Sequence, residues 1–155
     1  MISFTVETEI ARPPEAVFAH VTDPSMLPTW QRNTVSARTE DGGAMRRGAR
    51  VREVHRGPGG AEFTSLAEVS EFDPARVFAL TMLEGPLLVD ARVTFAPAGA
   101  GTLVRFVVHG RPDGAMRLAE PLLAVTLRHH FSDHCAALKR VLEDGSPAAE
   151  DRSRG

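Results

Sequence analysis

Two histidines, His130 and His134, stand four residues apart toward the end of the chain. On a helix, positions i and i+4 share a face, so both rings would point the same way. Such a pair can hydrogen-bond a ligand oxygen or shuttle a proton near neutral pH. It can equally be a pair of core histidines satisfied by their neighbours. A metal site needs a third ligand, and the stretch lacks the Glu of a His-Glu-x-x-His motif, so neither metal nor cofactor is expected. His130 and His134 are therefore the candidate catalytic pair. His129 falls on the opposite helix face and reads as solvated. Cys135 borders the apolar face with no activating cation beside it and reads as packing. In the segment Ala49–His55, one face carries Val51, Glu53 and His55 and the other Arg50, Arg52 and Val54. Either a charge lines a pocket here, or the strand lies near a sheet end with both faces wet. The second reading is preferred, because edge strands normally carry charge. Asp90 and Arg92 read as the outer face of a half-buried strand. The arginines Arg46, Arg47, Arg50, Arg52 and Arg56 cluster, but Glu53 interrupts them and no aromatics interleave, so nucleic acid is not expected as a partner.

The elements that must position these residues follow from length and pattern. The 155 residues suffice for one domain with a full core. Eighteen basic against 20 acidic residues leave a net charge of −2, with no general pull toward nucleic acid or anionic membrane. The single cysteine excludes an internal disulfide and a cysteine zinc cluster. No secretory signal pattern and no run of about 18 apolar residues is visible, so a cytoplasmic protein without membrane insertion is expected. A homodimer is compatible with everything above.

Ile2 to Ile10 alternates apolar and polar residues, the mark of a half-buried strand. Pro14 suits a first helical position, starting a helix to Val21. Asp23 and Pro24 can cap a second short helix ending near Pro28, with Trp30 just beyond. Six strands follow at a spacing near ten residues, with Gly, Pro and Asp at the turns: roughly Thr34–Thr39, Ala49–His55, Ala61–Phe72, Val77–Leu83, Leu87–Ala96 and Thr102–Gly110. From Ala115 onward apolar residues recur at helical spacing, and Pro121 divides a lead-in from a main helix. On that helix Leu123, Leu127, His130, Phe131, His134, Leu138 and Val141 share a face. Residues 1–143 form one domain on this reading. The tail 144–155, rich in Gly, Pro, Ser and charge, is expected to be disordered.

The fold class implied is α+β: a seven-stranded antiparallel sheet with one face to cover and one helix long enough to cover it. A twisted sheet curved around a single helix leaves a cavity, the usual site for an apolar small molecule. Candidate lining residues are Trp30, Phe63, Met82, Phe95, Phe106, Met116, Leu123, Leu127 and Phe131. No exposed apolar patch, as a protein-interaction module would need, is identifiable from the sequence.

Several stretches, in order, resemble the START-like superfamily (helix-grip fold, also called SRPBCC) in its polyketide cyclase/dehydrase branch. They are Ile10–Phe18, Thr22–Trp30, Glu68–Pro74, Gly101–Val104 and Ala137–Glu143, and together they span nearly residues 2–143. The resemblance implies two short helices between the first two strands and a curved sheet gripping the C-terminal helix. It implies a hydrophobic small-molecule partner: a lipid, polyketide or aromatic metabolite. Members range from enzymes to lipid carriers to co-regulators. Aromatase/cyclase members use pocket arginines, tyrosines and histidines, and this chain has no tyrosine. The alternative to simple binding is cyclase or dehydratase chemistry, with His130 or His134 as general acid/base and Glu53 or an arginine of its strand stabilising an enolate.

Overall fold

The computed structural model describes residues 1–144. Strand β1 (Ile2–Ile10) is followed by helix α1 (Pro14–Val21), a 3-10 turn (Pro24–Met26) and the short helix α2 (Leu27–Trp30). Then come β2 (Thr34–Thr39), β3 (Arg50–Arg56), β4 (Glu62–Asp73), β5 (Val77–Glu84), β6 (Leu88–Ala98) and β7 (Gly101–Arg111). A 3-10 turn (Gly114–Ala119) leads into α3 (Glu120–Asp144). The second short helix is thus two pieces. Asp23 caps the first by accepting from the Ser25 amide, and the chain re-forms as α2 across Pro28. Helix α3 begins at Glu120, one residue before the proline, which fits a first turn because its missing N–H has no partner there to lose. The expected tail falls outside the described residues except for Asp144, which ends α3.

All seven strands form one antiparallel sheet in the order β1-β7-β6-β5-β4-β3-β2. The first and last strands pair at one edge of the sheet, β1 against β7, while the other strands meander. Register shifts in β4, between Leu66 and Ala67 and between Val69 and Glu71, bend the sheet. At the β1–β7 corner the backbones nearly touch. A Cβ on Gly101 would stand 2.4 Å from the Ile10 carbonyl oxygen, so only glycine fits.

Two parts of the hollow face are filled differently. Under α1, Phe18 makes edge contacts with Phe72 and Phe95 at ring distances of 5.3 and 5.2 Å. That end is solid. The last third of α3 packs against the sheet, with Cys135, Ala137, Leu138 and Leu142 all buried. It is also latched to β1 and its exit: Lys139 Nζ donates to the Glu9 carbonyl at 2.6 Å, the Ala11 amide to the Glu143 carboxylate at 2.8 Å, and Arg12 to the Leu142 carbonyl at 3.1 Å. No residue of α3 before Cys135 is buried to that degree. Leu118, Leu122 and Val125 instead face outward, 90%, 69% and 68% exposed, a stripe the sequence pattern does not reveal.

Candidate functional site

Between the concave sheet face and the first part of α3 lies a cavity of about 180 Å³. This is below the usual range of roughly 300–1,000 Å³ for small-molecule sites. Its walls are Phe78, Leu80 and Met82 of β5, Val89, Ala91 and Val93 of β6, Phe106 of β7, and Leu127 and Phe131 of α3. Trp30 closes one side, 2% exposed, with its ring 6.1 Å from that of Phe106. The inward alternation of β3 brings Val51, Glu53 and His55 to the same cavity, and α3 adds His130 and His134.

Of the residues singled out in the sequence, His130, His134, Trp30, Met82, Phe106, Leu127 and Phe131 meet at this cavity. Phe95 does not: it is consumed in the aromatic plug under α1. Phe63 lies on the concave side, but it stacks on the far face of His55 at 5.1 Å. Met116 is half-buried in the turn before α3, and Leu123 packs on the core without lining the cavity. His130 is exposed at the rim, its ring 6.5 Å from that of His134. His129 is exposed beside Asp133. Cys135 is buried, and burial pushes its thiol up to about 12, which leaves no thiolate for chemistry.

The preferred reading of β3 is corrected. Its arginine face is wet, yet Val51, Glu53 and His55 are 1%, 7% and 9% exposed. Strand β3 lies next to the edge but is not the edge; β2 takes that place, so both sides of β3 are paired. His55 is held in a directed chain of hydrogen bonds. The Thr34 hydroxyl donates to Gln31 Oε1 at 3.1 Å, so it must accept from His55 Nδ1 at 3.3 Å. That leaves His55 Nε2 as the acceptor of the Ser65 hydroxyl at 2.8 Å. Burial lowers the His55 pKa, which agrees with this neutral tautomer.

Among the described residues Glu53 therefore has no cation to pair with. Its carboxyl oxygen is 3.6 Å from His55 Nε2, an atom already serving as an acceptor. It makes no hydrogen bond among the described residues, and burial pushes its pKa up to about 7. His134 is pushed the other way, down to about 4, by burial and by the neighbouring His130. Its ring stands edge-on to Trp30 at 6.1 Å and to Phe131 at 5.5 Å. His134 Nδ1 and Trp30 Nε1 are both buried without a hydrogen-bond partner among the described residues. A mainly apolar chamber thus carries a carboxyl near its titration point and a neutral imidazole, on facing elements. Sequence reasoning kept Glu53 only in the enzyme alternative, gave His55 no role, and missed Gln31, Thr34 and Ser65. The period-two alignment of Val51, Glu53 and His55 was the signal, once a second strand covers the edge.

Among the described residues no group of three His, Cys, Asp or Glu side chains is arranged to hold a metal, and no helix is long and apolar enough to cross a membrane. The family model for polyketide cyclase / dehydrase and lipid transport matches residues 1–143. The chain belongs to that family. Solved structures share its fold at low identity. A START superfamily protein from Mycobacterium smegmatis aligns with a TM-score of 0.74 at 16% identity, covering 93% of this chain and 99% of that one. DR_A0006 from Deinococcus radiodurans aligns at 0.66 and 22% identity, covering 93% and 99%. The di-domain ARO/CYC protein BexL of the BE-7585A biosynthetic pathway aligns at 0.70 and 20% identity, over 90% of this chain and 46% of that one. No curated protein matches by sequence. Family membership agrees with the helix-grip architecture described above, in which the sheet grips α3 and two short helices separate β1 from β2.

Proposed function

We propose that this member of the polyketide cyclase/dehydrase and lipid transport family binds a hydrophobic small molecule in the chamber between the sheet and α3. The observation that carries the reading is a chamber walled mainly by apolar side chains, with the Glu53 carboxyl and the His134 imidazole among its lining. Binding would draw on burial of ligand surface at roughly 25 cal/mol per Å², with the polar atoms fixing orientation. Gentle extraction of the purified protein followed by mass spectrometry should recover an apolar compound. A chamber holding only water, and no change in Trp30 fluorescence with any apolar probe, would sink this reading.

One observation favours a second reading, catalysis of the cyclase or dehydratase type. The same chamber holds an acid that burial keeps protonated toward neutral pH and an imidazole that burial keeps neutral. His134, or His130 at the rim, would take a proton α to a carbonyl, and the Glu53 carboxyl would donate a hydrogen bond to the enolate oxygen. The measurement is turnover of a poly-β-ketone mimic by the native protein and by His134→Ala. An equal rate in both removes His134 from the mechanism.

A further inference from the structure

The chamber's volume and the polar groups that line it together restrict the guest. A dry protein cavity of about 150 Å³ holds one benzene. At about 180 Å³ this chamber has room for a single ring and a few further atoms. A long acyl chain or a fused multi-ring polyketide exceeds this volume and would have to project past the rim at His130. The polar contents then act on the choice of functional group. Groups facing Glu53 are His55 on its own strand, Ser65 opposite it on β4, Gln31 and Asn33 before β2, and His130 and His134 on α3. None of the closest of these offers a fixed cation. His55 is a neutral acceptor on that side, and Ser65 spends its proton on His55.

We propose that the chamber selects a compact, neutral ring compound with one hydroxyl or carbonyl oxygen, which bonds to the Glu53 carboxyl on β3 and to the His134 imidazole on α3. A carboxylate guest is disfavoured, because it would meet the Glu53 acid and no counter-charge. A plain hydrocarbon fits by shape but leaves both polar groups without a partner. This rests on the ligand-binding reading above and narrows it to a chemical class.

The test uses three probes of nearly one shape: p-cresol, p-xylene and 4-methylbenzoate, titrated by calorimetry at pH 6 into the full chain. The expected order is p-cresol over p-xylene by about tenfold, the worth of one good buried hydrogen bond, with 4-methylbenzoate weakest. Glu53→Leu should remove the preference for p-cresol, whereas Glu53→Gln, which keeps a neutral donor, should retain it. Equal binding of p-cresol and p-xylene overturns the proposal while leaving the ligand-binding reading intact. So does a preference that survives Glu53→Leu, or displacement of p-cresol by palmitate at lower concentration. Failure of all three probes and of palmitate to bind overturns both.

Discussion

The two parts of α3 belong to one continuous helix over one sheet, yet they do opposite things. From Cys135 onward the helix buries four side chains and is tied to β1 and the residues after it by three side-chain hydrogen bonds. Before Cys135 it buries none to that degree, and its inward side chains border a void. The distinction is in the side chains, since backbone geometry is the same. Leu138 and Leu142 are buried in the continuous core, on a helix whose strand contacts are to β1. Leu127, Phe131 and His134 face Ala67 and Ala91, whose short side chains leave the floor low. One part supplies stability and the other supplies space.

The largest expected effect comes from the packed part. Leu138 is fully buried, so Leu138→Ala should cost about 2–5 kcal/mol in urea unfolding. The chamber part should show itself through pH. The Glu53 pKa is raised to about 7, so its contribution to stability is full below the unfolded carboxyl pKa and is lost as pH rises through 7. The His134 pKa is lowered to about 4, so its contribution is present above the unfolded imidazole pKa and is lost as pH falls through 4. Each spans about 3 kcal/mol, and over roughly pH 4.5–6.5 the two slopes oppose and nearly cancel. Removing one partner should unmask the other. Glu53→Gln should give stability that rises from pH 4 to 6.5, and His134→Phe stability that falls from pH 4.5 to 7; flat profiles in both variants would break the electrostatic account. A smaller effect follows from raising the floor. Ala91→Leu should add about 1–2 kcal/mol of stability and abolish probe binding, the reverse of what the same change does in a filled core. The smallest effect is Leu127→Ala, the same chemistry as at Leu138 but beside a void, at about 1 kcal/mol or less. Equal costs at 127 and 138 would erase the contrast between the two parts.

Much of the fold is legible in the sequence because local signals agree with the global arrangement. The alternation of Ile2–Ile10, the prolines at 14 and 24, and the Gly- and Pro-marked turns each set one element and its ends. The site is only partly legible, for two physical reasons. Periodicity gives the face of a residue but not what stands beyond it. Phe95 and Phe106 both face inward, and only tertiary placement sends one into the plug under α1 and the other to the chamber. Strand order is likewise non-local. Whether Glu53 is wet or buried depends on β2 pairing with β3, which no pattern within Arg50–Arg56 records. His130 shows the third kind of miss. A helical wheel gives it an inward direction, but the helix stands far enough off the sheet there that the ring stays in water.

The ties that fasten Lys139, Glu143 and Leu142 to the β1 end make the helix a lever with its fulcrum near Cys135. Fifteen residues of rod extend beyond that point, about 22 Å at the usual rise per residue. A swing of about 10° there would lift Glu120 by roughly 4 Å and break its 2.9 Å ion pair with the Met1 amino group, while leaving the buried side chains of the anchored end in place.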